Sequence, residues 1–329
     1  MLKRIKEMFT ADELLKGNYG IEREALRVNI DGGISYEPHP KAFGGKLENP
    51  YITTDFAESQ VEVITPVFTN IEETYNFLNA LYDIVAMEIG DQYLWPQSMP
   101  SIMPEENKIP VANFGEGEKN KKAHEYREYL LKKYGGKKQL ISGIHFNFSF
   151  NEEFLERLYR DSNREMDYKN FKDKIYLKVA RNFLRYRWLL IYLTGATSTV
   201  HKSYLCECKK DLEEISKDSF SCEGSISYRN SQWGYKNKTD LFPKYNSVTE
   251  HLESVDKFIN DGVIESHKEL YSQIRLKPKN KEDLKNSLIN DGILYLEYRN
   301  IDVNPFEKSG VNLDDLYFLQ VFNLFLLTK

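Results

Sequence analysis

Four segments of the chain alternate apolar and polar residues with a period of two, which is typical of half-buried β-strands. The pattern predicts strands over residues 20–30, 56–64, 141–150 and 293–301. Segments 71–89 and 171–193 have helical spacing instead, and Thr69 with Glu72 three positions later offers a capping box for the first of them. Because the strands follow no regular strand-helix-strand rhythm, we expect an α+β fold on a largely antiparallel sheet.

The polar positions of these four segments carry an unusual set of side chains. Alternate residues of a strand share a face, so Glu22 and Glu24 should point the same way. The same reasoning applies to the other three segments and groups Glu58, Gln60 and Glu62, then His145, Asn147 and Ser149, then Tyr295, Glu297 and Arg299.

If these strands belong to one sheet, carboxylates crowd on its polar face. The crowded residues would be Glu22, Glu24, Glu58, Glu62 and Glu297, with Asp55 at the edge. Carboxylates this close repel and raise one another's pKa, and a bound divalent cation removes that penalty. Oxygen ligands of this kind suit Mg²⁺. Each strand alone could equally present a solvated outer face, but the four together favour a metal site.

Charge and motifs narrow the class of ligand. The formal net charge of -5 provides no overall positive field, so nucleic acid is not expected as a partner. The chain has no phosphate-binding loop, since Gly115–Lys119 lacks the final Ser or Thr. A nucleotide would have to be held through metals and basic side chains, and the candidates are Arg229, Arg275, Lys277 and Arg299.

The longest apolar run, residues 188–193, is too short to span a membrane, and the amino-terminal segment does not resemble a secretory signal. The three cysteines, Cys206, Cys208 and Cys222, lack paired zinc-site spacing, so we expect reduced thiols and a cytoplasmic location. The length leaves one large domain or two open, and because no Pro-, Gly- or Ser-rich linker divides the sequence we expect a single domain over residues 1–329. Its last helix is so apolar that we expect truncation, or a fused or separate carboxyl-terminal domain or another subunit packing there.

Five strings occur in an order and spacing that resembles the bacterial glutamate-cysteine ligase family, including the amino-terminal part of bifunctional glutathione biosynthesis enzymes. They are GIEREALRV, YITTDFAESQVEVITP, LWPQSMP, ISGIHFNFS and LEYRNIDVNPF. The resemblance implies a glutamine-synthetase-like fold, in which a curved, largely antiparallel sheet forms an open barrel flanked by helices. It also implies ATP-dependent joining of the γ-carboxylate of L-glutamate to the amine of L-cysteine through γ-glutamyl phosphate.

The resemblance also implies roles for individual residues. Mg²⁺, with Mn²⁺ as a substitute, would be bound by Glu22, Glu24, Asp55, Glu62, His145 and Glu297. The amino-acid substrates would contact Phe56, Tyr126, Arg127, Leu130, Gln139, Tyr235 and Tyr271. Arg229 and Arg299 would be the catalytic, phosphate-facing arginines, with Arg275 and Lys277 on ATP. Trp233 and Tyr228 depart from the smaller residues expected around Arg229, which leaves the substrate preference open.

Three alternatives remain at this point. A ligase of the same kind could use another amine, because the fold and the metal site do not choose the acceptor. A metal-dependent phosphohydrolase could use the same carboxylates. A non-catalytic domain could bind Mg-ATP and turn nothing over.

Overall fold

The computed structural model describes residues 1–205 and 212–329. Its helices are α1 (Leu2–Met8), α2 (Ala11–Leu14), α3 (Ile71–Glu88), α4 (Glu118–Tyr134), α5 (Gly136–Gln139), α6 (Glu152–Asp161), α7 (Tyr168–Thr194), α8 (Val248–Asn260), α9 (Leu284–Asn290) and α10 (Leu313–Thr328). Its strands are β1 (Gly17–Val28), β2 (Ile52–Thr54), β3 (Gln60–Ile64), β4 (Tyr93–Leu94), β5 (Ile144–Phe150), β6 (Val200–His201), β7 (Glu213–Ser216), β8 (Ser219–Ser221), β9 (Ile274–Lys277) and β10 (Tyr295–Ile301).

The main sheet has the strand order β2-β3-β1-β5-β10-β9, and β4 adds to β1 outside this path. Neighbouring strands of this sheet pair antiparallel within the described residues. A smaller three-stranded sheet has the order β6-β8-β7. The mixed α+β architecture with an antiparallel sheet is therefore confirmed, and the described part of the main sheet does not close on itself.

One face of the main sheet is apolar, and helices cover it. Ile21 of β1, Phe146 and Phe148 of β5, and Leu296 and Tyr298 of β10 are all buried there. Helices α3, α7 and α10 pack on this side or on one another. Because side chains alternate along a strand, burial of these residues directs the charged ones to the opposite face. We call this opposite face the polar face.

All four predicted strands are present, but the segment 56–64 was predicted wrongly in its first half. The chain turns between β2 and β3, where Asp55 N donates to Gln60 O at 3.0 Å and Gln60 N donates to Ala57 O at 2.8 Å. Glu58 lies in this turn, and its carboxylate forms an ion pair with Lys46 instead of joining the acidic face. The turn explains the error, because residues in it do not follow strand alternation.

The amino-terminal cap of α3 also differs from the prediction. Asn70 caps the helix, not Thr69: the Asn70 side chain accepts from the backbone N–H of Glu72 at 2.7 Å and of Glu73 at 3.2 Å. A cap must lie directly before the first helical residue for its oxygen to reach these free N–H groups.

The apolar terminal helix α10 is largely covered within the chain. It packs on α7 and α3, and it buries Leu316, Leu319 and Phe322, while Val321 is 55% exposed. Asn182 of α7 donates to the carbonyl of Leu326 at 2.7 Å. The chain itself therefore covers much of the apolar surface of α10, while the expected truncation or carboxyl-terminal partner stays a prediction.

Two other predictions concern membranes and thiols. None of the helices in the described ranges combines the length and hydropathy that a membrane crossing requires. Cys222 is a half-buried free thiol, whereas Cys206 and Cys208 lie outside the described residues.

Candidate active site

A cavity of about 730 Å³ opens on the polar face of the main sheet. Its walls come from β1, β3, β5, β9 and β10, from α4, and from the chain between residues 229 and 245. Fifteen of the residues proposed from the sequence line it: Glu22, Glu24, Asp55, Glu62, Tyr126, Leu130, Gln139, His145, Arg229, Tyr235, Tyr271, Arg275, Lys277, Glu297 and Arg299.

Strand register brings the charged residues into a row across the sheet. Glu24 of β1 pairs with Glu62 of β3, and Glu22 pairs with His145 of β5. On β10, Glu297 pairs with Asn147 of β5 on one side and with Arg275 of β9 on the other. Directly paired residues of neighbouring antiparallel strands have Cβ atoms about 4.5–5.5 Å apart, so these side chains meet without any change of backbone.

Two acidic clusters lie on either side of the His145 ring. The first consists of Glu22, His145 and Glu297, and the second of Glu24, Glu62 and His145; within each, the potential ligand atoms are within 4.8 Å of one another. His145 Nδ1 is 3.1 Å from Glu22 Oε2, and Nε2 is 3.7 Å from Glu24 Oε1. Asn147 Nδ2 donates to the other oxygen of Glu22 at 3.0 Å. The imidazole therefore separates two possible cation positions.

Burial and mutual repulsion set the protonation of the second cluster. Burial, together with nearby Asp55, raises the pKa of Glu24 to about 8 and that of Glu62 well above its usual value. Burial also raises the pKa of Asp55. Such carboxylates either hold a proton or need a positive partner, which is the electrostatic condition that a divalent cation satisfies.

The first cluster already has positive partners. Burial alone would raise the pKa of Glu297, but the positive charges of Arg299 and Lys277 outweigh this effect and hold the pKa well below its usual value. Arg299 donates to Glu297 Oε1 at 3.1 Å and Lys277 donates to Oε2 at 3.0 Å. Burial and the charge of Arg299 lower the pKa of His145 to about 4, so its ring is neutral at pH 7. A neutral ring that donates Nδ1–H to Glu22 leaves the Nε2 lone pair for the second cluster.

Arg229 brings a further positive group to the cavity. Its Nη2 donates to the carbonyl of Arg299 at 2.5 Å, which places the two residues side by side. Within the described residues, Nη1 of Arg229 is buried and has no hydrogen-bond partner. A buried guanidinium N–H without a partner is a costly arrangement, and an anionic ligand would satisfy it.

The end of the cavity near α4 is lined by tyrosines and one glutamine. Tyr235 donates its hydroxyl to Gln139 Oε1 at 2.8 Å, and its ring lies 4.3 Å from that of Tyr271. Tyr126 and Leu130, one turn apart on α4, complete this wall. The lining of this pocket is partly polar and partly apolar, which suits a small amphipathic molecule.

Phe56 and Arg127 were also proposed from the sequence, but they do not line the cavity. Phe56 is 2% exposed in an apolar cluster with Leu130. The Arg127 guanidinium binds the backbone carbonyls of Asp55, Thr54 and Ala123 and lies 4.3 Å from the Phe114 ring centroid. Both residues support the wall from behind.

Several lining residues were not proposed from the sequence. One of them is Lys281, which lies near the first cluster. Three others, Asn230, Asp240 and Phe242, lie in segments without helix or strand. No periodicity marks these loop residues, so only their position in the folded chain identifies them.

The family model described as glutamate-cysteine ligase matches residues 2–329. The chain belongs to the glutamate-cysteine ligase family. It is 46% identical over 331 residues to a glutathione biosynthesis bifunctional protein of Clostridium perfringens, covering 100% of this chain and 42% of that protein. It is 38% identical to a glutamate-cysteine ligase of Clostridium acetobutylicum, covering 99% and 75% of the two chains.

Solved structures of this ligase family have the same fold. The glutamate-cysteine ligase of Francisella tularensis, solved in complex with AMP, superposes with a TM-score of 0.86 at 29% identity and covers 95% of this chain and 67% of that one. The bifunctional glutathione synthetase of Pasteurella multocida gives a TM-score of 0.83 at 36% identity, with coverage of 96% and 40%. The chain thus spans less than half of the bifunctional relatives that it matches.

Proposed function

We propose that the chain carries out ATP-dependent ligation of L-glutamate to L-cysteine, the first step of glutathione biosynthesis. The observation that supports this most strongly is the cavity itself, which combines two acidic clusters, buried arginines and a tyrosine-lined pocket. The γ-carboxylate of glutamate attacks the γ-phosphorus of ATP, forming γ-glutamyl phosphate and releasing ADP. The cysteine amine then attacks the acyl carbon, the C–O bond to phosphate breaks, and the amine loses a proton.

The residues present fit a divalent cation such as Mg²⁺, with Mn²⁺ as a substitute. Each acidic cluster offers two carboxylates, and the second also has the Nε2 lone pair of His145, which gives oxygen-rich donor sets. Glu22 and Glu297 would hold one ion, Glu24 and Glu62 another, with Asp55 beside the second and His145 between them. When bound, such ions neutralise the phosphate oxygens and help to orient them.

The chain's own cations would act on the phosphoryl group. Arg229 and Arg299 are adjacent and face the cavity, so both can donate to the oxygens of the group being transferred. Lys277, held by Glu297, and Arg275, held by the carbonyls of Leu270 and Lys268, are proposed to bind the remaining phosphates. Fixing these charges before the reaction avoids reorganisation during it.

The tyrosine-lined pocket is proposed to bind the amino acids. Tyr235, Gln139 and Tyr271 form a connected wall beside Tyr126 and Leu130. Arg127 would act from behind this wall through its hydrogen bonds to backbone carbonyls, and Phe56 through its packing in the cluster that contains Leu130. A buried polar wall of this kind can reject amines that leave its groups unpaired.

We also propose the finer fold description of a glutamine-synthetase-like open barrel, in which the polar face is the inner face. ATP supply and reduced cysteine favour the cytoplasm as the site of action. A carboxyl-terminal partner domain remains part of the proposal, because the bifunctional relatives extend well beyond the matched region.

The test is ADP release by the purified chain with Mg-ATP and L-glutamate, with and without L-cysteine, combined with detection of γ-glutamylcysteine. We expect the dipeptide only when all three substrates are present. Faster turnover with 2-aminobutyrate or another amine would assign a different acceptor. ATP hydrolysis that does not depend on glutamate would support the phosphohydrolase, and binding without turnover would support the non-catalytic domain.

A further inference from the structure

Asp302 is a buried carboxylate just beyond the end of β10, at 1% exposure. Its Oδ2 accepts hydrogen bonds from the Ala196 backbone N–H at 3.0 Å and from Thr197 Oγ1 at 2.5 Å. Its Oδ1 accepts from Ser227 Oγ at 3.0 Å and from Asn230 Nδ2 at 3.3 Å. One side chain thus joins two segments that are distant from it in the sequence.

The second of these segments, residues 225–231, carries Arg229 into the cavity. The two segments also bind each other: Tyr228 N donates to Thr197 O at 2.8 Å, and Thr197 N donates to Ile226 O at 3.1 Å. Asn230 Nδ2 also donates to the carbonyl of Asn300 on β10, at 3.0 Å. The 225–231 segment has no helix or strand of its own, so these contacts replace regular secondary structure.

Charge adds to these hydrogen bonds. The Arg229 guanidinium is buried, and the negative charge of Asp302 attracts it. Because Arg229 also faces Glu24, a single fixed position for its guanidinium requires a balance between these two carboxylates. Without Asp302 the attraction of Glu24 would be unopposed, so the Arg229 guanidinium would be free to shift toward Glu24.

We propose that Asp302 is a positioning residue for the ligase reaction: it holds the 225–231 segment so that Arg229 stays directed at the transferred phosphoryl group. This inference rests on the proposed function. Strand β10 and the residue after it would then supply a metal-binding carboxylate at Glu297, one phosphate-facing arginine at Arg299 and the support for the other. The relative position of the two arginines would be set by a single stretch of backbone.

The test compares Asp302→Asn with wild type and with a matched control, Asp173→Asn. Asp173 is also a buried carboxylate, 5% exposed, and accepts from the Ile293 backbone N–H at 2.7 Å, but it does not line the cavity. We expect Asp302→Asn to lower kcat by about 100-fold, because misplacing a catalytic group by about 1 Å has an effect of this size. The KM values for glutamate and cysteine should change far less. Asp173→Asn should lose stability and keep its kcat.

Hydrogen exchange tests the positioning without turnover. The amides of residues 226–231 should exchange at least about tenfold faster in Asp302→Asn than in wild type, while Asp173→Asn leaves them unchanged. If Asp302→Asn does not fold, Thr197→Val removes one donor to the carboxylate with little change of shape, and it should lower kcat several-fold.

The outcomes separate the two proposals. An inactive wild type would overturn the proposed function, and hydrogen exchange would still decide whether Asp302 orders the segment. An active wild type with unchanged kcat and exchange in Asp302→Asn, or in Thr197→Val where that variant is used, would overturn the positioning role alone.

Discussion

At the scale of single residues, the same pKa shift has different meanings at two histidines. Burial lowers the pKa of both His145 and His251 to about 4. Carboxylates of Glu22, Glu24 and Glu297 lie within 4 Å of the His145 ring, whereas His251 donates Nδ1–H to the carbonyl of Lys244 at 2.9 Å. A shifted pKa therefore identifies burial, and only the neighbouring groups identify a site.

His251 should make the folded state sensitive to acid. Its folded pKa of about 4 is below the value of about 6.5 expected in the unfolded chain, so the unfolded state takes up a proton first as the pH falls. The stability that neutral His251 contributes is complete above pH 6.5 and is lost as the pH approaches 4.

The measurement is urea unfolding of wild type and His251→Gln at pH 7.5 and pH 4.5. The stability of wild type relative to the variant should fall by up to about 3 kcal/mol over this range. A difference that stays constant with pH would contradict the assignment of a neutral, buried imidazole.

Gly143 is required for space around Arg229. A Cβ atom at this position would overlap the Arg229 guanidinium, so Gly143→Ala must displace that side chain. We expect kcat to fall by about 100-fold, with a small change in melting temperature because the displaced group is the end of a flexible side chain. Gly20→Ala is the matched control, since its Cβ would approach no closer than 3.7 Å to Asn147. Normal activity in Gly143→Ala would show that Arg229 tolerates displacement.

At the scale of elements, alternation along β1, β5 and β10 explains how one sheet serves both stability and chemistry. On β10, Leu296 and Tyr298 are fully buried in the core, while Glu297 and Arg299 line the cavity. The tight packing of the apolar face leaves little freedom for the backbone. The backbone positions of the charged residues between the core residues are therefore fixed by this packing, and ion pairs such as Lys277–Glu297 fix their side chains.

The terminal helix α10 should contribute to stability through its inner face only. Leu319 is 0% exposed and Val321 is 55% exposed on the same helix. Leu319→Ala should lower the free energy of unfolding by about 2–5 kcal/mol through lost burial and the cavity left behind. Val321→Ala should change it by no more than about 0.5 kcal/mol. Urea denaturation of both variants checks this, and equal effects would mean that α10 packs differently.

At the scale of the whole molecule, the modest net charge of -5 hides a strong internal separation of charge. The second acidic cluster, with Asp55, places three buried or half-buried carboxylates together, and Arg127, Arg229 and Arg299 compensate them only in part. Folding brings these charges together and must overcome their repulsion. A bound cation would offset this repulsion, so we expect the stability of the folded chain to depend on metal.

Mg²⁺ should stabilise the folded protein, and its removal should destabilise it. We expect saturating Mg²⁺ to raise the melting temperature of the EDTA-treated protein by on the order of 5 °C. Glu62→Gln should raise the melting temperature without metal, because one repelling carboxylate is gone, and should reduce the Mg²⁺-dependent shift. Glu58→Gln, which affects a carboxylate paired with Lys46 away from the cavity, should keep the full shift. An identical Mg²⁺ shift in Glu62→Gln would contradict the metal assignment.

Much of the fold was predictable because alternation and helical spacing are local properties. Strands β1, β5 and β10 and helices α3 and α7 follow the predicted segments closely. The errors occur where a residue fits a local sequence pattern but does not lie in the structural position that the pattern predicts. Glu58 has the spacing of a strand residue but lies in a turn, and Asn70 rather than Thr69 reaches the free N–H groups of α3.

By itself, the sequence determined which residues share a strand face on β1, β5 and β10, and that these polar faces carry carboxylates, His145 and an arginine. It also determined the family, through strings long enough to be specific. Only the tertiary structure decided that Glu22 lies beside His145 and Glu24 beside Glu62, and that Arg127 supports the wall from behind. The physical reason is that alternation depends on neighbours along the chain, whereas register, burial and hydrogen bonds such as those of Asp302 join residues more than a hundred positions apart.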